Sequence, residues 1–153
     1  MTAADDKKSV LDPWGTTVVD DYNHLYEEFG IQKFDDFCDI VPNPNMYMRR
    51  GVIFGHRDFG RVLAAMTKGE DFAVMSGIKP TGEFHLGTLM TAKEIIYFQQ
   101  QGAQAFYAIA DIEAYEDNKL PFKETEKIAV GNVADLLALG FDSKCGHIYR
   151  QYK

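Results

Sequence analysis

The chain has 153 residues, of which 46% are hydrophobic and 25% charged, with 16 Lys and Arg against 23 Asp and Glu for a formal net charge of -7. That length supports one domain with a sizeable core, and the composition is that of an ordinary globular protein. The acidic balance excludes a nucleic-acid binder that is basic as a whole; contact with nucleic acid would need a local basic patch. Cys38 and Cys145 are far apart, with no CxxC spacing, and the four histidines are scattered. This pattern suggests neither a disulfide framework nor a zinc site, and the cysteines read as free thiols in a reducing cytoplasm. Residues 1–10 carry Asp5, Asp6, Lys7 and Lys8 and no apolar core, unlike a signal peptide. No apolar run reaches the ~18 residues that mark a membrane span.

In chain order, residues 1–10 read as a tail, and Trp14 to Val19 as a strand or half a hairpin after Asp12-Pro13. Tyr22 to Phe29 reads as a short helix stopped by Gly30, and Phe34 to Ile40 as another. Val41-Pro42-Asn43-Pro44-Asn45 is a turn-rich break. Phe59 to Thr67 has Val62, Leu63 and Met66 at helical spacing, with Asp58 as the N-cap and Gly69 as the stop. From residue 70 the pattern becomes more regular. Phe72–Met75 is expected as a buried strand. Leu86–Gln101 is a helix with Leu89, Ala92, Ile95, Ile96 and Phe98 on its apolar face, closed by Gly102. Ala105–Ala110 is a strand. Phe122–Leu139 is a helix with Ile128, Ala129, Val133, Leu136 and Leu137 inward, and His147–Tyr149 begins a third strand.

Strand, helix, strand, helix, strand is the first half of a Rossmann-like, doubly wound parallel sheet, an α/β fold. In the usual strand order the first strand has neighbours on both sides. Here it would pair on one side only, which suggests a piece of something longer. Ligands of such sheets sit beyond the carboxyl ends of the strands. Two segments fall there: the loop Ser76 to Phe84 and the run Asp111 to Glu116. The loop joins a strand to a helix start, where N–H groups and the helix dipole favour an anion. Gly77, Gly82 and Gly87 let the backbone approach a ligand. His85 can donate a hydrogen bond to a phosphoryl oxygen as charge builds there.

Pro80-Thr81-Gly82-Glu83-Phe84-His85-Leu86-Gly87-Thr88 resembles the HIGH signature of class I aminoacyl-tRNA synthetases. Three further stretches resemble the tryptophanyl-tRNA synthetases of archaeal and eukaryotic type: Asp12-Pro13-Trp14-Gly15, the run from Arg49 to Asp58, and Ile109-Ala110-Asp111-Ile112-Glu113-Ala114-Tyr115. The resemblance covers roughly residues 11 to 151. It implies a tryptophan–tRNA ligase, cytoplasmic and a homodimer at full length. Such an enzyme takes tryptophan, ATP with Mg2+, and tRNA(Trp). It implies residues 1–69 as an N-terminal extension and cap, and 70–153 as the first half of the catalytic domain.

By resemblance, His85 and Thr88 are catalytic. Gly77, Lys79, Pro80, Thr81, Gly82, His85, Gly87 and Thr88 bind ATP. Glu113 holds the substrate ammonium, with Asp111 in the same polar cluster. Met75 and Ala108 stand where eukaryotic members place a tyrosine and a glutamine against the indole. Thr88 replaces the motif's final histidine, and its hydroxyl can still bind a phosphate oxygen or cap the helix. A KMSKS-type loop is not found in residues 1–153. Two other readings stay open: a tyrosine–tRNA ligase, and a truncated non-catalytic paralogue that binds a nucleotide or a partner.

Overall fold

A computed structural model describes residues 23–152, with side chains from Tyr26 onward. The expected strand around Trp14 to Val19 lies outside the described residues. Helix α1 (Asn23–Phe29) ends at Gly30, whose φ of +62° is the left-handed turn that glycine permits. Strands β1 (Gln32–Lys33) and β2 (Gly55–His56) pair antiparallel, with Gln32 opposite His56. The expected helix from Phe34 to Ile40 is instead a single 3-10 turn, Asp35–Phe37, continued by tight turns. Asp35, Asp36 and Asp39 favour turns over a helix interior, and Pro42 prevents its extension. After the turn-rich break, Asn45 starts a short helix that sequence reading missed, α2 (Met46–Arg49). Its side chain accepts the N–H groups of Tyr47 and Met48 at 2.9 and 3.0 Å.

Helix α3 (Phe59–Lys68) forms where its spacing predicts and stops at Gly69, but Asp58 does not cap it. Asp58 has φ +54°, and its side chain makes no cap hydrogen bond. A capping side chain reaches the first turn from extended backbone, not from the left-handed region. The cap comes from His56, whose Nδ1 accepts the Phe59 N–H at 3.3 Å.

The second half is the expected α/β unit. Its elements are β3 (Ala73–Ile78), α4 (Leu86–Gln100), β4 (Gln104–Ile109), α5 (Asp111–Asn118), α6 (Phe122–Ala138) and β5 (Gly146–Arg150). The three strands form a parallel sheet in the order β3-β4-β5. Among the described residues β3 pairs with β4 alone, as the sequence implies. It is not the buried strand expected: Val74 and Ile78 face the core, while Ala73 and Met75 face outward and Met75 is 70% exposed. Period-2 alternation splits the side chains between the two sheet faces, and only one is covered. Leu137, expected inward, is 44% exposed on α6, where Thr125, Ala129, Asn132 and Leu136 form the buried stripe. The run after β4 is a helix, α5.

Two apolar clusters share α4. The inner one joins Ala92, Ile95 and Ile96 to Tyr107 and Ile109 of β4 and to Ala129 and Leu136 of α6. The outer one joins Tyr97 to Phe34, Val41, Met48, Phe59 and Leu63. Polar ties reinforce the outer contact: Tyr97 donates to the Pro42 carbonyl at 2.7 Å, and Asn45 donates to Glu94 at 2.7 Å. No helix among the described residues is long and apolar enough to cross a membrane.

Candidate functional site

The parallel register brings Ile78 beside Ile109, so the loop after β3 and the start of α5 leave the sheet side by side. Residues 79–85 are held at several points. Pro80 is buried, and the Thr81 N–H turns back to the Lys79 carbonyl at 2.8 Å. Lys79 pairs with Asp117 of α5 at 2.9 Å. Asn132 of α6 donates to the Gly82 carbonyl at 3.1 Å. Phe84 packs on the inner cluster.

At the loop's end His85 occupies the N-cap of α4 in extended backbone, φ -134° and ψ 177°. Its Nδ1 accepts the Gly87 N–H at 3.2 Å, and the Thr88 hydroxyl accepts the His85 N–H at 2.8 Å. The geometry decides the tautomer. A ring nitrogen that accepts from a backbone N–H carries no proton, so a neutral imidazole carries it on Nε2. His85 is therefore an exposed Nε2–H donor at the positive end of a 15-residue helix. Gly87 makes room for the folded-back ring: a Cβ there would lie 3.1 Å from His85 Cε1 and 3.2 Å from Nδ1. Thr88, in place of the motif's final histidine, serves as the other half of the cap. An open cleft of about 480 Å³ lies beside this helix start, lined in part by Phe84, His85, Leu86 and Asp135.

The other two glycines, Gly77 and Gly82, stand in different surroundings. A Cβ on Gly77 would meet the Ala108 carbonyl oxygen at 2.5 Å, so the β3–β4 approach requires glycine there. Gly82 has open space, and the structure uses its carbonyl.

Asp111 is an internal anchor in this structure. It has no exposed surface, Arg150 donates to its Oδ2 at 2.7 Å, and the Tyr152 N–H donates to its Oδ1 at 2.9 Å. Burial alone would raise its pKa, but these hydrogen bonds and the Arg150 charge outweigh it and hold the carboxyl below the usual aspartate range. Glu113, in the first turn of α5, is exposed and accepts from Gln151 at 3.2 Å. Met75 lies on the open sheet face, near the start of β3 and away from the loop end.

Sequence reading missed Asn132, Asp117 and Arg150. It also missed a three-ring stack in which Phe122 lies between Tyr115 at 4.9 Å and Tyr152 at 4.1 Å, tying α5 to α6 and to the residues after β5. Aspartate and asparagine on predicted helices look like solvated residues; their pairing with a loop 38 or 50 positions away leaves no local pattern. Among the described residues no three His, Cys, Asp or Glu side chains cluster as a metal site.

The family model described as "tRNA synthetases class I (W and Y)" matches residues 67–153, more than half of the chain. The chain belongs to this family. The class I synthetase match begins just ahead of β3 and takes in the loop, α4 and the whole sheet. Relatives extend the likeness toward the N-terminus. Over 141 residues the chain is 49% identical to "Tryptophan--tRNA ligase 1" of Halobacterium salinarum, covering 92% of this chain and 28% of that protein. Over 142 residues it is 44% identical to the tryptophan--tRNA ligase of Methanosarcina acetivorans, covering 92% of this chain and 32% of that protein. The crystal structure of tryptophanyl-tRNA synthetase from Aeropyrum pernix K1 superimposes with a TM-score of 0.79 at 41% identity, covering 92% of this chain and 40% of that one. The chain thus spans about a third of the length of the curated relatives it matches. The Rossmann-like class I fold is present in part, as one parallel three-stranded unit.

Proposed function

We propose that this class I synthetase sequence supplies the ATP-binding part of a tryptophan–tRNA ligase. The observation that carries the reading is the His85–Gly87–Thr88 arrangement, which directs an imidazole donor outward at a helix N-terminus. The relatives, named as tryptophan–tRNA ligases, favour tryptophan over tyrosine as the amino acid.

In the first step the carboxylate of tryptophan attacks the α-phosphate of ATP. A carboxyl oxygen–phosphorus bond forms, the α–β bridge breaks, and pyrophosphate leaves with the displaced charge. A ribose hydroxyl at the 3′ end of tRNA(Trp) then attacks the aminoacyl carbonyl of the adenylate; the ester forms, the carboxyl–phosphate bond breaks, and AMP leaves. Magnesium arrives with ATP as part of the substrate. No covalent enzyme intermediate is required, so the chain's task is to position groups and stabilise charge. His85 Nε2–H and the first turn of α4 meet the phosphate chain. The segment Gly77, Lys79, Pro80, Thr81, Gly82, Gly87 and Thr88 shapes that site, with Lys79 held beside Asp117. Glu113 is the proposed ammonium ligand, and Met75 the proposed neighbour of the indole.

Residues 1–69 are proposed as an extension that caps the site, and 70–153 as the first half of the catalytic domain. The packing of Phe34, Val41, Met48, Phe59 and Leu63 with Tyr97 of α4 supports contact between the two parts. A homodimer in the cytoplasm completes the proposal.

Amino-acid-dependent ATP–pyrophosphate exchange by the full-length protein tests it. Tryptophan is expected to support exchange and tyrosine to fail; equal or faster exchange with tyrosine would overturn the assignment.

A further inference from the structure

Asn132 is 2% exposed and lies on the inward stripe of α6 with Thr125, Ala129 and Leu136. An apolar residue there would pack with no polar group to satisfy. The amide instead donates from Nδ2 to the Gly82 carbonyl at 3.1 Å, bridging 50 positions of sequence. That oxygen can only accept, which fixes the end of the amide that faces it. Asn132 Oδ1 has no protein hydrogen-bond partner, so the side chain bears the penalty of a half-paired buried amide. A residue held in the core at that cost is explained by the loop it ties.

The loop's start is fixed by Lys79 on Asp117 and its end by the His85–Thr88 cap. Gly82 stands between, three residues ahead of His85. We propose that Asn132 is a positioning residue for adenylate formation: it clamps the middle of the loop to α6 and so sets where His85 is delivered. This inference rests on the nucleotide-binding reading of the loop.

The test is Asn132→Leu in the full-length protein, read two ways. In hydrogen–deuterium exchange, peptides covering residues 79–85 are expected to exchange roughly tenfold faster, while β4 and α6 keep their protection. Unchanged protection of the loop overturns the clamp, whatever the enzyme does. In tryptophan-dependent pyrophosphate exchange, kcat is expected to fall about ten- to a hundredfold, the scale of an ångström-level misplacement. Combined with His85→Ala, Asn132→Leu is expected to add no further loss, because both act through the same imidazole. Losses that multiply would mean that Asn132 acts elsewhere, and the positioning role would fail. Asn132→Ala, which removes the donor without adding bulk, must give the same result. A wild-type protein silent in pyrophosphate exchange overturns the functional reading and the catalytic half of this inference with it. Loop protection then decides the clamp alone.

Discussion

His85 and Gly87 depend on each other. The imidazole folds over the first turn of α4 because the Gly87 N–H meets Nδ1, and it can do so because residue 87 has no Cβ. Gly87→Ala would force the ring outward by a few tenths of an ångström or break its hydrogen bond. It is expected to slow pyrophosphate exchange roughly tenfold or more, while adding helix propensity and leaving thermal stability nearly unchanged. Melting curves beside the exchange rate separate the two effects. The sequence shows that His-x-Gly opens a helix, since Gly/Pro loops and helix starts leave local marks. It does not show that the glycine serves the histidine, because that is a matter of ring direction.

At the scale of elements, the carboxyl end of the sheet is locked by the Asp111–Arg150 pair between α5 and β5, with the Tyr115–Phe122–Tyr152 stack beside it. Asp111 is enclosed, whereas the Arg150 side chain is 33% exposed and keeps its contact with Glu126 at 3.1 Å when Asp111 is changed. Asp111→Asn takes the charge out of the hydrogen bonds from Arg150 and the Tyr152 N–H and is expected to lower unfolding stability by about 1–2 kcal/mol, measured by urea denaturation. The pH dependence follows from the sign of the shift. The folded carboxyl is held below its unfolded value, so its contribution is fully present above the ordinary aspartate range. It is lost as pH falls through the folded value. The wild-type protein should therefore lose stability across the acid range, and Asp111→Asn should lose less of it. An equal acid loss in both would remove Asp111 as the cause. Asp111 and Glu113 look alike as acids after a strand, yet burial by the residues after β5 makes one an anchor and leaves the other exposed. Helices α3, α4 and α6 were legible because apolar periodicity and terminal glycines are local signals. The cap of α3 was not, because the left-handed turn at Asp58 hands that role to His56.

For the whole molecule, β3 determines behaviour in solution. Its free edge and the open face bearing Met75 leave backbone groups and apolar surface without cover among the described residues. Such edges pair with other chains unless something covers them. The 153-residue chain expressed alone is therefore expected to self-associate with rising concentration, as read by sedimentation velocity. A monomer up to high micromolar concentration would contradict this account of the edge. The order of strands and the one-sided pairing were readable from the run of β and α segments. The exposed face of β3 was not, since a short apolar run reads as buried whether one face is covered or two.

The sharing of α4 between two clusters has a consequence during synthesis. Phe34, Val41, Met48, Phe59 and Leu63 leave the ribosome before Tyr97, the side chain that completes their cluster. At about 5–20 residues per second, that interval lasts roughly 2 to 7 s. For those seconds the nascent N-terminal segment holds an apolar cluster with no helix to close it, a natural point for a chaperone to engage. Emergence of α4 closes the outer cluster first; the inner cluster waits for Tyr107, Ile109, Ala129 and Leu136, so the N-terminal segment can order on α4 before the sheet is complete.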